Sequence, residues 1–183
     1  MKYRIFTALI LACLACSSCI TQKLELTYNA QEEKIDKYIE SALNKNKEYT
    51  VARNKGSNRL IKTPGKGEAL SEHGMVAFYY AGYTFAGSLN NSSVPFVTNH
   101  EETALGLRPQ WILTDQDFSV LELDMSDTEL LEGLRNGLIG VQGGEVCEIL
   151  FSGKYAFGDH SFGVIPRNSA LAFKIWVISV SND

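Results

Sequence analysis

GLRNGLIGVQGGE (133–145), CEILFSGKYAFGD (147–159) and FGVIPRNSALAFKIWVISV (162–180) dominate the last third of the chain. Together they read as a short helix around a buried seam, a strand, a glycine-rich loop and a closing strand. Much chemistry is excluded at once. The run holds no His, Cys and carboxylate cluster at metal-ligand spacing, no glycine-rich loop opening a helix, and no serine on a strand-to-helix elbow. It offers aromatic and aliphatic surface around one Ile165-Pro166 step.

Upstream, Met75 to Tyr80 (MVAFYY) is rich in β-formers and predicts a central strand, and Val120 to Leu123 alternates as another. Tyr49 to Arg53 and Arg59 to Lys62 flank Asn54-Lys-Gly-Ser-Asn58, which indicates a strand pair or one bent strand. Ser126 reads as the N-cap of the short helix, with Asp127 and Glu129 in its first turn and Leu130, Leu131 and Leu134 on its apolar side. The sum is an α+β domain: an antiparallel sheet wrapped around one short helix, with an N-terminal helical extension. That extension spans Asn29 to Asn46, where Gln31-Glu32-Glu33 precede an apolar stripe of Ile35, Tyr38, Ile39, Ala42 and Leu43. The stripe is expected to pack on the domain, with pairing to another chain as the alternative.

The 183 residues carry a formal charge of -4 and no basic patch, so nucleic acid is not an expected partner. Lys2 and Arg4 precede an apolar run from Ile5 to Ala15, too short for a membrane span but fit for the core of a signal peptide. Cys13, Cys16 and Cys19 crowd its end. Small residues before a cysteine suggest lipoprotein processing at Cys19, after Ser17-Ser18, with Cys16 as the alternative. The reading is a signal peptide over 1–18, a tether and helix over 19–48 (the tether at 20–27), and a folded domain over 49–183. Acyl chains would hold the protein to the membrane of a bacterial cell envelope, facing the periplasm. Cys147 then stands alone in the domain and reads as a small buried side chain; His160, beside Asp159, reads as an exposed loop residue.

The quoted stretch resembles the C-terminal half of an FK506-binding-protein (FKBP) type peptidyl-prolyl isomerase domain. Gly133, Leu134, Gly137, Leu138, Gly140, Gly144 and Glu145 match its helix and turn, Tyr155 to Gly158 its Y-A-Y-G motif, and Gly163, Ile165, Pro166, Asn168, Ser169, Leu171 and Phe173 its closing segment. Pro64 to Gly67 and Met75 to Gly82 resemble its opening turn and first core strand. The similarity covers 58–180, with a long insertion at about 88–118.

The resemblance implies rotation about Xaa-Pro bonds without metal or other cofactor, acting on proline-containing segments of exported proteins. The barrier is about 20 kcal/mol because twisting destroys amide resonance, and a dry apolar pocket lowers it. Carried over position by position, Tyr80, Phe96, Ile165 and Phe173 are the catalytic walls and rim, the Ile165 N–H donating to a substrate carbonyl. Leu121, Leu130, Leu131, Leu134 and Phe157 complete the substrate site. Three positions depart from the family: Leu134 replaces a common Trp, Phe157 lacks a tyrosine hydroxyl, and an Asp is missing. The Asp position falls on Val97 if Phe96 is the pocket aromatic, or within Asn90 to Ser93 if loop length decides. These departures keep a non-catalytic binding or chaperone module open as the alternative, and a structural envelope lipoprotein as a third reading.

Overall fold

The computed structural model describes residues 2–106, 117–127 and 129–182, with side chains from residue 22 onward. The side chains of Cys16 and Cys19, and positions 107–116 of the inserted region, lie outside the described residues.

The chain runs α1 (Lys2–Lys45), β1 (Thr50–Asn54), β2 (Ser57–Thr63), β3 (Lys66–Ala69), β4 (Met75–Thr84), β5 (Val97–Thr98), α2 (Glu101–Leu105), β6 (Leu121–Asp124), α3 (Glu132–Leu138), β7 (Gln142–Gly143), β8 (Val146–Phe151) and β9 (Leu171–Ser181). The main sheet is antiparallel in the order β1-β2-β8-β9-β4-β5, with β6 also on β4, and β3 pairs with β7 in a small second sheet. The Asn54 to Asn58 stretch resolves as a hairpin: Lys55 and Gly56 both take positive φ, 42° and 82°, as a two-residue turn between right-twisted strands requires.

Strand alternation sends side chains to two cores. On one face Ile149 and Phe151 of β8, Phe173 and Ile175 of β9 and Phe78 of β4 pack with Leu134 and Leu138 of α3. A Cβ on Gly133 would stand 2.2 Å from the Phe151 ring, and one on Gly137 2.2 Å from Ile149 Cγ2, so these two glycines let α3 lie directly on the strands. Arg59 of β2 fixes the other end of α3. Its guanidinium donates to the carbonyls of Gly137, Ile139 and Gly140 at 3.0, 2.8 and 3.1 Å, satisfying carbonyls the helix leaves open. Arg59 Nε also lies 3.2 Å from Glu145 Oε1 but is not aligned as a hydrogen bond, and burial outweighs this attraction, holding the Glu145 carboxyl above its ordinary range.

The opposite face carries the predicted stripe. Ile35 and Ile39 of α1 are fully buried against Leu60, Phe85, Leu150 and Ala172. Fully burying each such side chain contributes about 1.5–3 kcal/mol. Tyr38 and Lys62 meet the buried Glu148 carboxylate at 2.7 and 2.5 Å. Its Tyr38 hydroxyl is held well above the usual tyrosine range, first by burial and then by that carboxylate.

Two expectations are corrected. Positions 20–27, read as a tether, are helical, so Gln31, Glu32 and Glu33 lie mid-helix; Tyr28, at 9 % exposure, already anchors this part of α1 to the domain. Ser126 caps no helix: its N–H and Oγ turn back to Asp124 Oδ1, and α3 starts at Glu132 with Leu131 as a cap lacking a side-chain bond. Leu130 and Leu131 therefore precede the helix.

Candidate functional site

Beside the first core, β9, β5 with the preceding Phe96, the start of α3 and the 157–165 loop line a cavity of about 290 Å³. Its floor is aromatic. Phe173 of β9, 6 % exposed, meets Phe96 edge-on at a ring separation of 6.0 Å and 87°, and stacks on Phe151 behind it at 6.0 Å. Phe96 is set by its N–H, which donates to Gly82 O at 2.8 Å, and by the short β5 that follows. Asn99 secures that strand from beyond, accepting from Tyr80 N at 2.6 Å and donating to Ser119 O at 2.9 Å.

The roof is the loop. Phe157 stacks on Phe162 at 4.8 Å and 6°, while Val164 stands 80 % exposed at the tip. Ile165, 3 % exposed, points inward. Leu131 and Val97 fill the sides. Among the described residues, none lining this cavity has an ionisable side chain. The described lining offers no side chain to act as nucleophile or proton donor. A larger cleft of about 530 Å³ between α1 and the 87–90 turn sets Tyr38 and Tyr49 among the polar side chains of Lys37, Lys45 and Asn46.

Five of the nine expected site residues thus meet: Phe96, Phe173, Ile165, Phe157 and Leu131 line one cavity. Of the two candidate counterparts for the Asp position, Val97 is in the wall. Asn90 to Ser93 instead form a turn closed by their own hydrogen bonds, Ser93 N–H to Asn90 O and Ser92 N–H to Asn90 Oδ1. Four expected residues stand back. Leu134 is core beneath the site, and Leu130 packs at its edge. Tyr80 packs edge-on against Phe78 at 6.0 Å; partial burial holds its hydroxyl above the usual range. Leu121, on the edge strand β6, is 38 % exposed and forms no wall.

The expected role of the Ile165 N–H also changes. It donates to Phe162 O at 2.8 Å, and the Phe162 N–H returns to Ile165 O at 3.0 Å, closing the loop tip on itself. Leu131 is better placed: its side chain lines the cavity, and its N–H has no acceptor among the described residues. Phe162 and Val164 were not anticipated. Their only signal is bulky apolar side chains in a polar, glycine-rich loop. His160 is exposed, as expected, beside Asp159 at 3.0 Å.

Residues 114–178 match the model of the FKBP-type peptidyl-prolyl cis-trans isomerase family. Three solved structures are similar in fold. FkpA from Escherichia coli aligns with a TM-score of 0.56 and 20 % identity over 97 % of this chain and 71 % of its own. The N-terminal domain of FKBP42 from Arabidopsis thaliana aligns with a TM-score of 0.55 and 17 % identity over 73 % of this chain and 93 % of its own. The three FKBP domains of wheat FKBP73 give 0.57 and 17 % over 74 % of this chain and 52 % of theirs. The fold is FKBP-like, and the family match falls on its C-terminal part.

Proposed function

We propose that the cavity receives a proline ring and its preceding amide, and speeds rotation about that bond. The observation that carries this reading is an aromatic-floored space of about 290 Å³ with no ionisable side chain among the described residues of its lining. Such a space suits a reaction in which no bond is made or broken. A planar amide owes part of its stability to charge separation solvated by water; dry walls withdraw that support, while the twisted state, with less charge separation, loses less. The Leu131 N–H receives a peptide carbonyl and sets the orientation, and Phe162 and Val164 cover the residue preceding the proline. The clients are proline-containing segments of exported proteins, and Cys19 bears the lipid anchor that holds the domain to the envelope; the charged and apolar pattern of the first nineteen residues supports this location.

A binder without turnover is the second reading, favoured by the hydroxyl absent at Phe157 and the carboxylate absent at Val97. Exchange NMR on Xaa-Pro peptides separates the two. Acceleration over the uncatalysed rate, abolished in Phe96→Ala, supports the isomerase; saturable peptide binding with no acceleration establishes the binder. Phe157→Tyr together with Val97→Asp should raise kcat/KM by about one to two orders of magnitude, since each restored hydrogen bond contributes about 1 kcal/mol.

A further inference from the structure

The two ends of the loop that roofs the cavity are held together by a side chain from the far side of the sheet. Gln31 of α1 donates through Nε2 to Asn168 O at 2.6 Å and accepts through Oε1 from the buried Gly153 N–H at 2.8 Å. One turn earlier on the helix, the Tyr28 hydroxyl donates to Asn168 Oδ1 at 2.9 Å. Asn168, held at φ 58°, passes the constraint inward: its N–H donates to Gly158 O at 2.6 Å, and Gly158 N–H donates to Gly153 O at 3.0 Å. The fit at this base is close, for a Cβ on Gly153 would lie 2.7 Å from the Asn168 carbonyl. Phe157 and Ile165, which line the cavity, hang directly from these pinned ends.

We propose that Gln31 and Tyr28 are positioning residues of the cavity rim, so that α1 governs how tightly a proline segment is held without touching it. The proposal rests on the reading of the cavity as a proline-peptide site. Docked, the helix closes the loop base and presents Phe157 and Ile165 in one arrangement, which ligand binding need not then order. With the base unpinned, part of the binding energy is consumed in ordering the rim. The loss falls equally on ground and transition states, and so appears in KM rather than kcat.

The test uses the full chain with Gln31→Met, which keeps the length and helix preference of the side chain while deleting both bonds, and with Tyr28→Phe. Glu33→Gln, on the exposed side of the same helix, serves as control. Gln31→Met is expected to weaken binding of an Xaa-Pro peptide about fivefold and Tyr28→Phe by a smaller factor, as the loss of ordinary hydrogen bonds implies. Peptide kcat should stay unchanged, and amide exchange should accelerate at Gly158, Ile165 and Asn168 but not at Ile149 or Ile175. Unchanged affinity and unchanged loop exchange in Gln31→Met would overturn the proposal, as would acceleration spread evenly over strands and loop, which marks global destabilisation alone. Should the wild-type chain bind no proline peptide, the reading of the cavity falls instead. The exchange pattern then still decides whether the helix pins the rim.

Discussion

Gly82→Ala tests whether the site depends on a missing side chain. Gly82 is buried on β4, directly beneath the aromatic floor. A Cβ there would lie 2.8 and 2.9 Å from Phe96 Cζ and Cε2, and 2.9 Å from Phe173 Cε1. Carbon atoms pack comfortably at about 3.5–4.0 Å, so one or both rings must retreat by roughly 0.6–1.2 Å. Phe173 has nowhere to go, since Phe151 stacks behind it and is itself fully buried. Phe96, with the cavity beyond it, gives way and fills space the ligand needs. Overpacking of this kind costs about 1–3 kcal/mol of stability, set against the smaller gain from stiffening the unfolded chain. Peptide affinity should fall about tenfold or more, the usual effect of one surplus methyl group in an apolar pocket. Peptide titration alongside thermal denaturation measures both. Gly143→Ala, whose Cβ would meet nothing nearer than Lys66 O at 3.6 Å, is the tolerated comparison. Wild-type affinity in a folded Gly82→Ala protein would refute the placement of the ligand between Phe96 and Phe173.

Tyr38→Phe removes one of two partners from the buried Glu148 carboxylate and should cost about 1.5–3 kcal/mol in urea denaturation at unchanged slope; a loss of a few tenths would mean Lys62 alone suffices. His100 caps α2 by accepting the Thr103 N–H at 3.3 Å and stacks on Trp176 at 3.9 Å, and burial depresses its pKa against the opposing pull of Glu102. A depressed folded-state pKa means its contribution is full above the unfolded value near 6.5 and is lost as pH falls through the folded value. Protection of the Thr103 and Ala104 amides should therefore weaken as pH falls below about 6.5, and His100→Asn, a cap that does not titrate, should remove that dependence. Cys147 is 1 % exposed with its thiol pushed up by burial, so iodoacetamide should leave it unmodified in the native protein, as read by mass spectrometry; modification at the rate of a free thiol would contradict the packing. Cys19→Ala should abolish palmitate labelling; if Cys16→Ala does so instead, the acylated position lies three residues earlier.

The sheet was legible because its strands declare themselves locally. Met75 to Tyr80 is rich in β-formers, and the Lys55-Gly56 turn sits between two alternating runs. The stripe from Ile35 to Leu43 repeats at helical spacing, which is why its burial could be anticipated. What escaped depends on neighbours distant in sequence. Ser126 and Asp127 have the chemistry of a helix cap, yet Asp124 holds Ser126 first, and the helix waits for Glu132. Leu121 alternates like a wall residue, but β6 pairs only with β4, which leaves that side chain to solvent. In the cavity, attention falls naturally on Tyr80 as an aromatic, while its neighbour Gly82 does more by supplying nothing but room. No local signal says that the Ile165 N–H is already taken by Phe162, or that Gln31 reaches across to Gly153 and Asn168.

The strand made last, β9, lies inside the sheet between β8 and β4, pairing with β4 from Met75 to Thr84 and with β8 from Val146 to Phe151. A ribosome therefore delivers β4 and β8 before the strand that joins them exists. Until residues 171–181 emerge, β4 and β8 have no shared neighbour, and α1, though synthesised first, lacks the Leu150, Ala170 and Ala172 surface on which Ile35 and Ile39 settle. Domains that complete themselves in order of synthesis can fold as they appear. Here residues 171–181 complete both faces at once, so the central pairing of the sheet and the seat of α1 wait on the same strand.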